Sequence, residues 1–287
     1  MWNYLKAGAL LALMSAILIF AGARLGGPRG MMVAFAITLV MNMASWWFSD
    51  RIVLMMSRAR PVGPAEEPKL YAMVAELAAL ARLPMPRVYV VPQAQPNAFA
   101  TGRSPENAVV AVTEGLLRSM PPEELRGVIA HELAHIANRD TLIMAVAATI
   151  ASTIAMLANI AQWSMIFGGR RGEREGGGMG GLAMIILAPI TATLIQLAIS
   201  RSREFVADEY AARLLRDGRP LARALSRLEQ GASNIPADVN PTAAHLYIVN
   251  PLRGGGFLSL FRTHPTTEQR IERLERVTAE MQGLGRA

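Results

Sequence analysis

The sequence predicts a mainly α-helical membrane protein, in which two transmembrane helical hairpins carry a cytoplasmic α+β domain with a small sheet. Three observations predict it: four apolar stretches without a charged residue, an uneven distribution of arginine around them, and a polar helix between them that carries two histidines and a carboxylate. Of the 287 residues, 52% are apolar and 18% charged, a balance too apolar for an ordinary soluble domain.

The charge-free runs lie between Lys6 and Arg24, Arg29 and Asp50, Asp140 and Arg170, and Glu175 and Arg201. Each approaches or exceeds the roughly 17–25 residues that cross a hydrocarbon layer as a helix. The first two are joined by the short Gly26-Gly27-Pro28-Arg29-Gly30 link, which predicts a hairpin, and Trp46 and Trp47 near the end of the second read as an interfacial aromatic belt. Ala21-Gly22-Ala23 resembles a signal-peptide processing site, but a second apolar run so soon afterwards favours an uncleaved anchor. The third run is rich in Ala and Thr, and the fourth contains Pro189 and Gln196, so this pair reads either as two spans or as a membrane-embedded hairpin. The Gly-rich link at 168–181 carries five charges and is expected to be solvated and flexible.

Arginines gather after the second run (Arg51, Arg58, Arg60) and after the fourth (Arg201, Arg203, Arg213, Arg216, Arg219), with Lys6 on the same side. By the positive-inside rule the bulk of the chain faces the cytoplasm, in a plasma (inner) membrane. The net charge of +7 is scattered around apolar runs without interleaved aromatics, which suits anionic lipid headgroups and argues against a nucleic-acid partner. No run has an ionisable residue at its centre, which argues against an ion pump. The absence of cysteine leaves only nitrogen and oxygen as strong metal ligands.

Between the hairpins, apolar spacing at Leu70, Val74, Leu77 and Ala81 predicts a helix over 66–82, ended by Pro84 and Pro86. Arg87–Val91 and Ala108–Val112 read as strands, with Asn97-Ala98-Phe99-Ala100-Thr101-Gly102 between them as a possible edge strand. Residues 123–138 form a helix with Leu125, Val128, Ile129 and Leu133 as its buried positions. A further amphipathic helical stretch is expected over 200–230, and a last helix over 265–281 with Ile271, Leu274, Val277 and Met281 on one stripe.

The chemistry resides in His131-Glu132-Leu133-Ala134-His135. Histidines at i and i+4 share a helical face and can reach one metal ion, while Glu132 beside them is placed to handle the proton of a water that the metal activates. A catalytic zinc takes a third protein ligand. Asn138 and Thr141 stand where a metzincin pattern needs Gly and His, which excludes that branch. His245 and His264 remain, and Glu204 is the better candidate, with Asp208 one turn later able to orient a ligand histidine. On spacing alone, Glu204 and Asp208 fit equally a solvated charged face paired with nearby arginines. Asn138 and Asp140 read as helix terminators rather than ligands.

HELAHIANRD followed by SRSREFVAD resembles the HtpX family of membrane-bound zinc metalloproteases, relatives of the CAAX prenyl endoproteases. The likeness extends through PNAFATGR at 96–103, VTEGLL at 112–117, HLYIVNPL at 245–252 and LFRTHPTTEQRIERL at 260–274. It implies a gluzincin (zincin-like) catalytic domain, one Zn2+ per chain held by His131, His135 and Glu204, and Glu132 as catalytic base. One departure is Thr266, where similar proteins often have a second proline after the histidine.

On this reading residues 1–50 form the N-terminal transmembrane hairpin and 51–140 the first part of the catalytic domain. Residues 141–200 are the second apolar hairpin, and 201–287 complete the catalytic domain. The expected activity is hydrolysis of peptide bonds in damaged or misfolded membrane proteins, as part of protein quality control and stress response. A dedicated prenyl-type processing protease and a non-catalytic scaffold with structural zinc are the alternatives. His264 is a candidate transition-state donor or a histidine that packs against the last helix. Asn97, Ala98, Phe99 and Ala100 can pair with an extended substrate, or form an ordinary covered edge. His245 and Tyr247 are assigned to packing or the cleft wall.

Overall fold

A computed structural model describes residues 2–147, 201–234, 248 and 265–283. It opens with α1 (Trp2–Met56), two apolar arms that reverse at Gly27, whose φ of 58° suits glycine. The arms lie against each other: Asn42 Nδ2 donates to Ser15 Oγ at 2.9 Å, and a Cβ on Gly22 would meet Ala34 Cβ at 2.6 Å. Small residues at a close crossing, plus one interhelical hydrogen bond, are how helices associate in lipid. Leu5–Arg24 and Gly26–Met56 are both long and apolar enough to cross a membrane, and Phe20, Met32, Val33, Phe35, Leu39 and Val40 are exposed on them. So much outward-facing apolar side chain calls for a lipid surround. The second arm continues to Met56, beyond position 50, where the hairpin was expected to end.

Four strands follow: β1 (Arg60–Pro61), β2 (Arg87–Val91), β3 (Ala98–Thr101) and β4 (Val109–Thr113). Their order is β1-β2-β4-β3, with β2 and β4 parallel and both outer pairings antiparallel. Every residue of β4 is buried, and Val-Val-Ala-Val-Thr is apolar without alternation because both sheet faces are covered. One face (Val88, Val90, Val110, Val112) joins the main core with α2 (Pro68–Leu80) and α4 (Pro122–Ala137). The other (Val91, Phe99, Val109, Ala111) packs on Val53 and Leu54 at the end of α1 and on Met144. The apolar hairpin thus doubles as a second layer on the sheet, and Arg87 of β2 clasps Asp50 of α1 at 2.6 Å.

Two expectations are corrected. Helix α2 ends before the prolines: Arg82 takes a left-handed φ of 55°, and Leu83 N–H returns to the Ala78 carbonyl at 2.9 Å. The stretch over 200–230 is two helices, α5 (Arg201–Leu215) and α6 (Arg219–Asn234). They part where Arg216 turns left-handed (φ 57°) and the Gly218 N–H donates to Thr278 Oγ1 at 2.9 Å. A short α3 (Glu114–Ser119) precedes α4, and α7 (Thr267–Met281) closes the chain with Leu274 and Val277 buried and Ile271 and Met281 packed on the core. Thr266 caps α7: its hydroxyl accepts from Gln269 N–H, and Gln269 Oε1 accepts from Thr266 N–H, both at 3.3 Å. The departure from the double-proline pattern therefore supplies a capping box. Of the third apolar run, residues 141–147 are helical; the rest of it, the 168–181 link, the fourth run, His245, Tyr247 and His264 lie outside the described residues.

Candidate metal centre

Helix α4 is wedged between the sheet, α5, α6 and α2, so its middle turns are buried all round. Polar side chains there need partners. His131 and His135 direct Nε2 at each other across 3.2 Å. Glu204, from α5, completes the group: Oε2 stands 3.6 Å from His131 Nε2, and Oε1 stands 3.6 Å from His135 Nε2. Glu204 and Asp208 are buried to within 2% of full enclosure, so the alternative of a solvated charged face does not describe them.

Each histidine turns its other nitrogen to a carboxylate. His131 Nδ1 is 3.0 Å from Asp208, and His135 Nδ1 is 3.3 Å from Asp140. In the tautomer that donates each Nδ1 proton to its carboxylate, both neutral rings turn an Nε2 lone pair toward the point on which Glu204 also converges, an arrangement suited to a cation. Ligands about 2.0–2.1 Å from a tetrahedral metal stand about 3.3 Å from one another, close to the separations found here. His131, His135 and Glu204 can therefore hold a metal ion.

Titration follows the same geometry. Burial, helped by the Arg270 guanidinium, brings His131 down to about 4, which keeps its lone pair available at neutral pH. For His135 burial also opposes charge, but the Asp140 contact and the Glu204 and Glu132 carboxylates outweigh it and push the ring up to about 9, so a cation that binds there takes the place of its Nε2 proton. Burial pushes Glu132 up to about 7, with the Ala100 backbone N–H acting against it. A carboxylate near 7 is tuned for taking and returning a proton.

Two partners escaped the sequence. Arg270, to which the sequence assigned no role, is wholly buried: Nη2 and Nε donate to the two Asp208 oxygens at 2.6 and 2.8 Å. Its Nη1 donates to the Ile248 carbonyl at 2.9 Å and lies 3.6 Å from Glu204. Burial opposes ionisation of Asp208, yet Arg270 and His131 hold it below the usual carboxylate range, and Arg270 is correspondingly raised. Asp140 does more than end a helix: Asn138 caps α4, Arg139 turns left-handed (φ 57°), and Asp140 folds back onto His135 and within 3.6 Å of Arg203. The signal was weak, one Asp five residues after a ligand.

Strand β3 is the outer strand next to the cluster. The Asn97 carbonyl accepts from Thr113 N–H, so Ala98 and Ala100 present their backbone groups away from β4. Ala98 carbonyl accepts from Ile248 N–H at 3.1 Å, and Ala100 N–H faces Glu132. Phe99 points to the opposite face, into the core beside Val53, and Asn97 Oδ1 accepts from Ala98 N–H at 3.1 Å.

Comparison with known proteins agrees with this geometry. The sequence profile of Peptidase family M48 matches residues 64–278. The Protease HtpX homolog of Syntrophobacter fumaroxidans is 54% identical over 279 residues, covering 96% of this chain and 99% of that protein. The homologs of Aquifex aeolicus and Pyrococcus furiosus are each 52% identical, over 92% and 97% of this chain and 90% and 97% of their own lengths. The fold is similar to the crystal structure of S. mikatae Ste24p, with a TM-score of 0.50 at 20% identity, over 96% of this chain and 64% of that longer one. The chain belongs to Peptidase family M48, within its HtpX group, and is a membrane metalloprotease.

Proposed function

We propose that this metalloprotease is a zinc-dependent endopeptidase in which His131, His135 and Glu204 hold the metal and Glu132 is the general base. The observation that carries the reading is the convergence of two Nε2 atoms and one carboxylate within 4.8 Å, with Glu132 on the same helical turn. When bound, zinc supplies a Lewis acid that acidifies water and polarises the peptide carbonyl. Glu132, ionised above about 7, accepts a proton from the attacking water and returns it to the leaving amine nitrogen. Asp208 and Asp140 orient the two imidazoles, and Arg270 offsets the negative charge of Glu204 and Asp208. The outward edge of β3 at Ala98 and Ala100 is the candidate for strand pairing with an extended substrate, which would take the Ala98 carbonyl in place of the Ile248 N–H it now accepts from.

We further assign the catalytic domain to the cytoplasmic face of the plasma membrane, on the strength of the arginines that follow the second apolar arm. Damaged or misfolded membrane proteins are the substrate class that this position favours. The test is digestion of a destabilised membrane protein in liposomes by the full-length enzyme, with metal analysis of the same preparation. Cleavage that depends on stoichiometric zinc is the expected result; metal-independent cleavage would refute the assignment.

A further inference from the structure

A cavity of about 400 Å³ opens where the second arm of α1 meets the sheet. Its lining includes Trp47, Phe48 and Arg51 from the arm and Arg87, Arg103 and Glu106 from the domain. Its volume falls in the range of small-molecule sites. Trp47 and Phe48 are 56% and 45% exposed at the level where the apolar surface of the span ends, the depth at which aromatic rings settle in a bilayer.

The charges sort into two kinds. Arg87 is committed to Asp50 at 2.6 Å. Arg51 and Arg103 instead lie over aromatic rings, 5.5 Å from the Phe48 centroid and 5.9 Å from that of Trp47. Among the described residues neither meets a carboxylate in an ion pair, and Glu106, on the exposed rim, is the only other acid lining the cavity. Two guanidinium groups parked on ring faces at the edge of a membrane span leave an excess positive charge over a polar void, with apolar surface alongside.

We propose that this cavity seats the headgroup of an anionic membrane phospholipid, with Arg51 and Arg103 on the phosphate and Trp47 and Phe48 against the glycerol and upper acyl chain. The net positive lining favours an anionic over a zwitterionic headgroup, and the rings favour a lipid over free phosphate.

The test uses the full-length protein in a non-ionic detergent, titrated with dihexanoyl phosphatidylglycerol, dihexanoyl phosphatidylcholine or inorganic phosphate and read by thermal melting. The expected result is a saturable rise in Tm with the phosphatidylglycerol, at about tenfold lower concentration than with the phosphatidylcholine, and no rise with phosphate. In the Arg51→Gln/Arg103→Gln double variant the phosphatidylglycerol response weakens by about tenfold, while exposed Arg276→Gln leaves it intact. An equal response to the two lipids, an unaltered response in the double variant, or a response reproduced by phosphate alone would each overturn the proposal. Trp47→Leu gives a second reading without a change of charge: weaker lipid binding supports the site, and unchanged binding counts against it.

Discussion

Arg270 of α7 grips Asp208 of α5 through hydrogen bonds of 2.6 and 2.8 Å, with both side chains buried and 62 residues apart in sequence. Asp208 in turn lies 3.0 Å from His131, and Arg270 Nη1 lies 3.6 Å from Glu204, so α7 reaches the His131–His135–Glu204 cluster both through a carboxylate and directly.

Arg270→Met leaves Asp208 as an uncompensated buried charge, and stability is expected to fall by about 3–5 kcal/mol. Adding Asp208→Leu restores much of it, because an apolar pair replaces the ionic one. His131 still lacks its partner in that double variant, so zinc affinity stays about 10–100-fold below wild type. Denaturation curves and zinc titrations on the same samples separate the two effects.

Glu204→Ala removes one of three converging donors and is expected to weaken zinc binding sharply. A chelator should then lower the Tm of the wild type far more than that of the variant, because a ligand held only by the folded state stabilises it. Unchanged metal affinity in Glu204→Ala would redirect the third ligand to His245 or His264.

Thr266→Ala deletes the capping box of α7 at an exposed position. A loss of about 1 kcal/mol in stability is expected, with zinc stoichiometry unaltered. A larger loss would mean that this turn carries more than a helix cap.

The cysteine-free chain offers a clean background for the hairpin. Ser15→Cys with Asn42→Cys places two thiols on facing positions whose present side chains touch at 2.9 Å, within reach of a short bismaleimide. With a protease site inserted at Gly27, crosslinking should keep the two cleaved fragments joined on a gel. Fragments that separate would contradict the packed arms of α1.

Much of this architecture was legible because its signals are local. Apolar runs announce helices in lipid, short valine-rich runs announce β2 and β4, and an i, i+4 pair of histidines needs only one helix turn to converge. Glu204 was reachable by its place just after an apolar run, although spacing could not separate a ligand from a solvated face. Arg270 was not legible. An arginine among Glu and Arg in an amphipathic helix reads as solvent-facing, and only the packing of α7 on α5 turns it inward. Asp140 was hidden for a related reason: the left-handed turn at Arg139 that aims it at His135 has no glycine or asparagine to mark it. The split between α5 and α6 is marked by Gly218 and Pro220, a break that reading 200–230 as one amphipathic stretch passes over.

The central claim is that Glu132 moves protons at a metal held by other residues. The most direct measurement is zinc content and peptide hydrolysis of Glu132→Gln beside wild type, both full-length and in detergent. The account predicts one zinc per chain in each protein and a rate in the variant lower by at least about two orders of magnitude. Hydrolysis near the wild-type rate with zinc retained would contradict it.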